Sequence, residues 1–376
     1  MRLILLAFSL LVAGRVCAQF EVGHVSATYI DPTRSDRSIA CEVYYPSIST
    51  GDATPVAEGT FPFIAFGHGF VMDYTAYQNI TDALVASGYV MIYVETEGGL
   101  APAHANFGLD LAYVADHFYE ENATAGSLFQ SHLIDRCAIM GHSMGGGATW
   151  LASTTSASVD CIAGLAPAET NPSAISAASN VNVPALVLSG SSDAVTPPAD
   201  HHIPIFEGTA SECKIFVDIL NGSHCGYADS GSLCDFGEFG FNGLSREEQQ
   251  VITHDLLLAF FDFYLKDLST GNITLQNYDD AQINTAIQID CLVSIDEASE
   301  QHVIQLYPNP CEDVLVLELK GNVPMQYSIT DLSGSTVAMG RVHANSQRFE
   351  VNTANLAAGM YVLQLNSKSA VRFAKR

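Results

Sequence analysis

The sequence predicts an α/β protein in two parts: a doubly wound, mostly parallel sheet with helices on both faces, then a small C-terminal β-sandwich. Three observations carry this. From about residue 60 to 266, short apolar runs alternate with segments of helical spacing, the pattern of parallel strands joined by crossover helices. Beyond residue 300 the apolar period changes to two, as half-buried strands require. The charge breaks at the same place. Residues 19–300 hold 36 acidic and 6 basic side chains, a net of −30, whereas residues 301–376 hold 5 acidic and 7 basic, a net of +2.

The elements follow in order. Met1-Arg2, the apolar run Leu3 to Val12 and the small residues Val16-Cys17-Ala18 form an export signal, residues 1–18, with cleavage expected after Ala18. Arg15 interrupts the run well short of the ~20 residues a membrane span needs, and Arg15-Val16 fits poorly before a lipid-bearing Cys17. Phe63 to Gly67 and Tyr89 to Val94 read as buried strands. Between them, Asp73 to Ser87 carries Ile80, Leu84 and Val85 at helical spacing and stops at Gly88. A second amphipathic helix, Phe107 to Tyr119, places Leu111, Val114 and Phe118 on one face. Strand Cys137 to Met140 leads into a helix from about Gly145 to Ser153. Further strands are expected at Cys161 to Leu165, Ala185 to Leu188 and Ile215 to Leu220. Glu247 to Leu265 reads as a long closing helix, opened by Ser245 with Glu248 at capping-box spacing.

The stretch 269–300 lacks a clear period and is expected to link a catalytic domain over 19–268 to a β domain over 301–376. In the latter, Leu315, Leu317 and Leu319 alternate with Val314, Val316 and Glu318. Nearly half the residues are apolar, enough for a core without metal or cofactor, and none is expected. The acidic surface repels nucleic acid and anionic membranes. Eight cysteines follow the signal: Cys41, Cys137, Cys161, Cys213, Cys225, Cys234, Cys291 and Cys311. An even number in an exported chain reads as disulfides, with Cys225 and Cys234 the best local pair. No cysteine or histidine spacing suits zinc.

Gly141-His142-Ser143-Met144-Gly145 fits the G-x-S-x-G elbow of the α/β-hydrolase fold, where a strained strand-to-helix turn raises the serine hydroxyl clear of the sheet. A serine hydroxyl needs a base to take its proton, and His224 follows the strand ending at Leu220. The base needs a carboxylate to hold its tautomer, and Asp193 follows the strand ending at Leu188. The chain order Ser143, Asp193, His224 is that of this fold. Met144 N–H, next to the nucleophile, and Phe70 N–H, in the loop Gly67-His68-Gly69-Phe70, are the expected oxyanion donors. His68 is expected to brace that loop. Asp200, His201 and His202 read as a solvated helix start after Pro197-Pro198 rather than as a metal cluster.

GHGF at 67–70, GHSMGGG at 141–147, SGSSDAVTPP at 189–198 and GSHCGY at 222–227 resemble the polyesterase-lipase-cutinase group. That group includes bacterial PET hydrolases and is kin to dienelactone-hydrolase-like and chlorophyllase-like esterases. The resemblance implies cofactor-free hydrolysis of carboxylic esters through an acyl-enzyme, with Phe70, His142 and Met144 lining the substrate subsite. Where PET-active members place a tryptophan after Ala166-Pro167, this chain has Ala168-Glu169-Thr170-Asn171. Only about 18 residues, Pro167 to Pro184, join the flanking strands, within the range of an ordinary connection. No lid domain is expected, and the long acidic insert Asp229 to Phe241 is expected to form one rim of an open cleft.

Leu306-Tyr307-Pro308-Asn309-Pro310, Ile329 to Gly334, Leu356 to Leu365 and the basic end Arg372 to Arg376 resemble a type IX secretion sorting domain. The sequence therefore reads as a secreted or cell-surface serine ester hydrolase, a monomer with no membrane span. Its expected substrates are short-chain esters and, beyond them, polyesters such as PET. Its other partner is the type IX machinery. The competing readings are a peptidase on the same fold and a non-catalytic surface binding protein.

Overall fold

A computed structural model describes residues 20–230, 233–238, 240–271, 275, 285–291, 303–319, 325–331, 336–342, 348–365 and 369–376. The expected export signal, residues 1–18, lies outside them. The chain divides into two compact units at Cys291–Leu292.

The first unit is built on one ten-stranded sheet. In chain order its elements are β1 (Glu21–Asp31), β2 (Arg37–Ser47), β3 (Gly51–Asp52), β4 (Phe61–Gly67), α1 (Gln78–Ala86), β5 (Val90–Val94), α2 (His104–His117), β6 (Leu133–His142), α3 (Met144–Ser153), β7 (Val159–Leu165), α4 (Ala174–Ala178), β8 (Ala185–Gly190), α5 (His202–Gly208), β9 (Cys213–Ile219), α6 (Arg246–Lys266) and β10 (Thr285–Cys291). The strand order is β10-β9-β8-β7-β6-β4-β5-β2-β1-β3. The run from β9 to β5 is parallel, and β2 and β10 join it antiparallel.

Alternation along the strands explains why helices cover both faces. Phe63 and Ala65 point into one core with Phe107, Leu111 and Val114 of α2 and Trp150 of α3. Their neighbours Ile64 and Phe66 point into the other, with Ile80 and Leu84 of α1 and Ile252, Leu256 and Phe260 of α6. A strand buried on both faces reads as a continuous apolar run, which is why β4 and β5 were legible. The Ser245–Glu248 capping box opens α6 as expected, each side chain reaching the other's backbone N–H.

Two readings of the sequence change here. The paired strands β1 and β2 were not foreseen, because β1 faces solvent along much of its length and its polar residues dilute the alternation. The stretch 269–300 is more than a linker, because β10 lies within it and pairs with β9. The β1–β2 pair is tied to α2 by Asp110, whose fully buried carboxylate accepts from Arg37 Nε (2.7 Å) and Nη2 (2.6 Å) and from Thr96 Oγ1 (2.6 Å), with Arg34 Nη2 also at 2.6 Å.

The cysteine expectation holds only in part. Cys225 and Cys234 are bonded, and Cys213 is also in a disulfide. Cys41, Cys137, Cys161 and Cys311 are free and buried. The first three sit on separate strands, with their side chains packed in the two apolar cores. Burial pushes all three thiols well above their ordinary pKa, which leaves them unreactive in the folded state.

The second unit has two antiparallel sheets, β11 (Val303–Tyr307), β12 (Val314–Leu319) and β15 (Arg348–Asn352) in one, and β13 (Met325–Asp331), β14 (Thr336–Val342), β16 (Gly359–Leu365) and β17 (Ser369–Lys375) in the other. Leu315, Leu317 and Val351 from the first sheet meet Ile329, Leu363 and Phe373 from the second. This is the sandwich expected from the period-two pattern.

Candidate active site

In an open parallel sheet, ligands bind at the carboxyl ends of the strands. Four loops converge there: those after β4, β6, β8 and β9, carrying Phe70, Ser143, Asp193 and His224.

Ser143 stands between β6 and α3 with φ 56° and ψ −118°, a conformation that costs a non-glycine residue of order 1–3 kcal/mol. The turn requires its glycines. A Cβ on Gly145 would lie 2.0 Å from the Gly67 carbonyl oxygen, and one on Gly141 would lie 2.5 Å from the Gly145 backbone. Backbone bonds hold the elbow on the sheet, with Ser143 N–H donating to Leu165 O at 2.9 Å and Gly147 N–H to Ser143 O at 3.0 Å. Met144 is the first residue of α3, so its N–H is one of the donors a helix leaves unpaired at its start.

His224 Nδ1 donates to Asp193 Oδ2 at 2.7 Å, with both side chains buried. With Nδ1 donating, Nε2 is the ring nitrogen left as an acceptor in the neutral tautomer. The carboxylate is saturated: Oδ1 accepts from Val195 N–H (2.8 Å) and Thr196 N–H (2.7 Å), and Oδ2 also accepts from Thr196 Oγ1 (2.9 Å). Burial alone would raise the Asp193 carboxyl, but the hydrogen bond and charge of His224 and the Thr196 N–H outweigh it and hold it below the usual carboxylate range.

The loop bearing His224 is held from several sides. Gln249 of α6 accepts from Ser223 N–H (2.8 Å) and donates to Ser223 O (2.9 Å). The Glu238 carboxylate, in the acidic insert, accepts from the N–H groups of His224 and Cys225. The Cys225–Cys234 disulfide ties the insert to the residue after His224.

Two expected subsite residues are placed elsewhere. His142 is fully buried. It is the last residue of β6, and its ring lies 4.8 Å from that of His224, 5.8 Å from Tyr77 and 6.0 Å from Tyr227. Its Nε2 donates to the His224 carbonyl (3.0 Å), so Nδ1 accepts from the Tyr77 hydroxyl (3.1 Å), which in turn accepts from Gly69 N–H (2.8 Å). His142 thus links the Gly67–Phe70 loop, through Tyr77, to the backbone of His224. Burial, and then the proximity of His224, push its pKa down to about 3. The Met144 side chain is likewise packed in the core. Phe70 alone of the three is well exposed, at 50%. His68 is buried and hydrogen-bonds the Gly69 and Thr96 carbonyls, which braces the loop.

His202 is a further correction, since it is fully buried rather than at a solvated helix start. Its Nδ1 lies 2.9 Å from Ser189 Oγ and its Nε2 3.0 Å from Thr196 Oγ1. His201 Nδ1 accepts from Glu169 N–H at 2.9 Å. His142, His224 and Cys234 bring ligand-type atoms within 4.8 Å of one another. Cys234 is spent in its disulfide and both His142 nitrogens are hydrogen-bonded, so the group offers no set of free donors. Thr196, His202, Tyr77, Gln249 and Glu238 were not read as site residues. Only Thr196 had a local signal, as a hydroxyl residue in the turn that opens at Asp193, where Val195 N–H takes the Asx-turn position and Thr196 N–H the next.

The sheet order, the elbow and the loops at the carboxyl edge define an α/β-hydrolase. Comparison with known proteins places it more narrowly. Residues 32–246 match the PET hydrolase-like family model, and the chain belongs to that family and so to the carboxylic ester hydrolases. It is 27% identical over 241 residues to a bis(hydroxyethyl) terephthalate hydrolase of Streptomyces coelicolor, covering 63% of this chain and 68% of that protein. It is 23% identical over 172 residues to cutinase est1 of Thermobifida alba, covering 45% and 55%. Residues 305–376 match a secretion system C-terminal sorting domain. That domain directs the chain to type IX export and a cell-surface or secreted location. Among the described residues no helix is long and apolar enough to cross a membrane.

Proposed function

We propose that the protein hydrolyses carboxylic esters with Ser143 as nucleophile, His224 as general base and Asp193 as its orienting carboxylate. The observation that carries this is the buried 2.7 Å His224–Asp193 bond beside the strained Ser143 elbow. His224 Nε2 takes the Ser143 proton as Oγ attacks the ester carbonyl. The Met144 and Phe70 N–H groups hold the developing oxyanion. The imidazolium then protonates the departing alkoxide, and water, deprotonated by the same nitrogen, releases the acid from the acyl-enzyme.

Bulky esters, including aromatic polyesters, fit this reading. The β7–β8 connection holds only the five-residue α4, too little for a lid domain. Phe70 and Val195 expose 50% and 40% of their surface on loops at the catalytic edge, an apolar margin for an apolar chain. The test is a chain-length panel of p-nitrophenyl esters with amorphous polyester film, on wild type and Ser143→Ala. Ester turnover that falls about 10⁴-fold or more in Ser143→Ala is expected. Faster turnover of peptide anilides than of esters would point to a peptidase instead. No labelling by a fluorophosphonate would point to a non-catalytic binding protein.

A further inference from the structure

We infer that Thr196 and His202 form a positioning relay for Asp193, a buried chain running from strand β8 to the triad carboxylate; this rests on the triad reading above. Four side chains take part. Thr196 Oγ1 lies 2.9 Å from Asp193 Oδ2, 2.9 Å from His224 Nδ1 and 3.0 Å from His202 Nε2. His202 Nδ1 lies 2.9 Å from Ser189 Oγ. All are buried.

The hydrogen count fixes the direction of the chain. The Thr196 hydroxyl carries one proton, and the negatively charged Asp193 Oδ2 claims it. His202 Nε2 must then donate to Thr196 Oγ1, and His202 Nδ1 must accept from the Ser189 hydroxyl. The order is Ser189 to His202 to Thr196 to Asp193, each donor made a better donor by the one behind it. The relay requires a neutral His202. Burial holds its pKa down to about 3, although Asp193 Oδ2 is 3.6 Å from Nε2. A cation here would compete with the His224 imidazolium for the same carboxylate.

The relay therefore does two things for Asp193. It fixes the carboxylate plane against the imidazole. It also draws charge from Oδ2, which tempers how strongly Asp193 raises the basicity of His224. Removing the Thr196 hydroxyl leaves His202 Nε2–H buried without its acceptor and lets the carboxylate pull harder on His224. The ionisable groups facing this region are Asp193, His142, His201, His202, Tyr227 and, across the His224 backbone, Glu238.

The experiment measures kcat and KM for a soluble p-nitrophenyl ester from pH 5 to 9, with each sample normalised by fluorophosphonate titration of active serines. Thr196→Val is expected to lower kcat about tenfold at unchanged KM and to move the acid limb of kcat/KM up by about half a unit. Thr196→Ser keeps the hydroxyl and is expected within about twofold of wild type. His202→Asn, which breaks the chain one link further out, is expected to fall between them. The relay is refuted if Thr196→Val and Thr196→Ser behave alike. It is equally refuted if the loss in Thr196→Val vanishes on normalisation with the acid limb unmoved. Should Thr196→Val fail to fold, His202→Asn against Thr196→Ser decides by the same limb. Undiminished turnover in Ser143→Ala would overturn the triad instead, which keeps the two failures apart.

Discussion

The histidines buried around Asp193 and His224 make the fold acid-sensitive by an amount that can be worked out. His142 and His202 are held neutral, each with its pKa lowered from 6.5 to about 3 by burial. An unfolded chain exposes both at ordinary basicity, so below pH 6.5 the unfolded state takes up protons that the native state refuses. Stability is therefore intact above pH 6.5 and falls as the pH drops toward 3. At pH 5 the unfolded histidine has been titrated through 1.5 units, worth about 2 kcal/mol for each residue at ~1.4 kcal/mol per unit. The assay is urea unfolding at pH 7.5 and pH 5.0, read by tryptophan fluorescence. Trp150 is the single tryptophan of the chain and is fully buried in α3, donating to Thr209 Oγ1 at 2.9 Å, so the signal reports the hydrolase unit. His202→Asn should be less stable at pH 7.5 but should lose about 2 kcal/mol less than wild type on acidification. A loss equal to wild type within ~0.5 kcal/mol would refute the idea that His202 is held uncharged.

Three further outcomes are expected. Asp110→Asn removes the buried charge that holds Arg34 and Arg37 and should cost about 3–5 kcal/mol in the same unfolding assay. Gly145→Ala places a methyl group against the Gly67 carbonyl, so soluble expression and ester turnover should both be lost, while Gly99→Ala, which meets nothing within 4 Å, should express as wild type. Reducing the Cys225–Cys234 bond, which spans nine residues, should cost about 2.5 kcal/mol locally and lower kcat, because the bridge begins at the residue after His224. A ferricyanide-free reductant series with activity and free-thiol titration would show the two changes together.

The fold was legible where residues are buried on both faces of the sheet, because a doubly covered strand such as Phe61–Gly67 leaves no polar position to blur the run. It was illegible at the margins, where β1 and β10 owe their pairing to a neighbouring strand rather than to their own pattern. Ser143, Asp193 and His224 could be singled out because each follows a strand in the order this fold imposes. The groups that steer them could not. Tyr77, Glu238 and Gln249 reach the site from distant parts of the chain, and His202 resembles any helix-start histidine until its burial is seen. The direction of His142 was missed for a related reason: the elbow pattern fixes where the serine goes but says nothing of the face its predecessor takes.

The thiols sealed in β2, β6 and β7 determine how the hydrolase unit is lost on heating. While the sheet is closed, air and disulfide reagents find no sulfur to attack. Once it melts, three ordinary sulfhydryls are released beside existing bridges, and exchange can join the wrong loops before the strands re-form. Melting in air then becomes a one-way event, and blocking sulfhydryls during the melt would be needed to recover the enzyme on cooling.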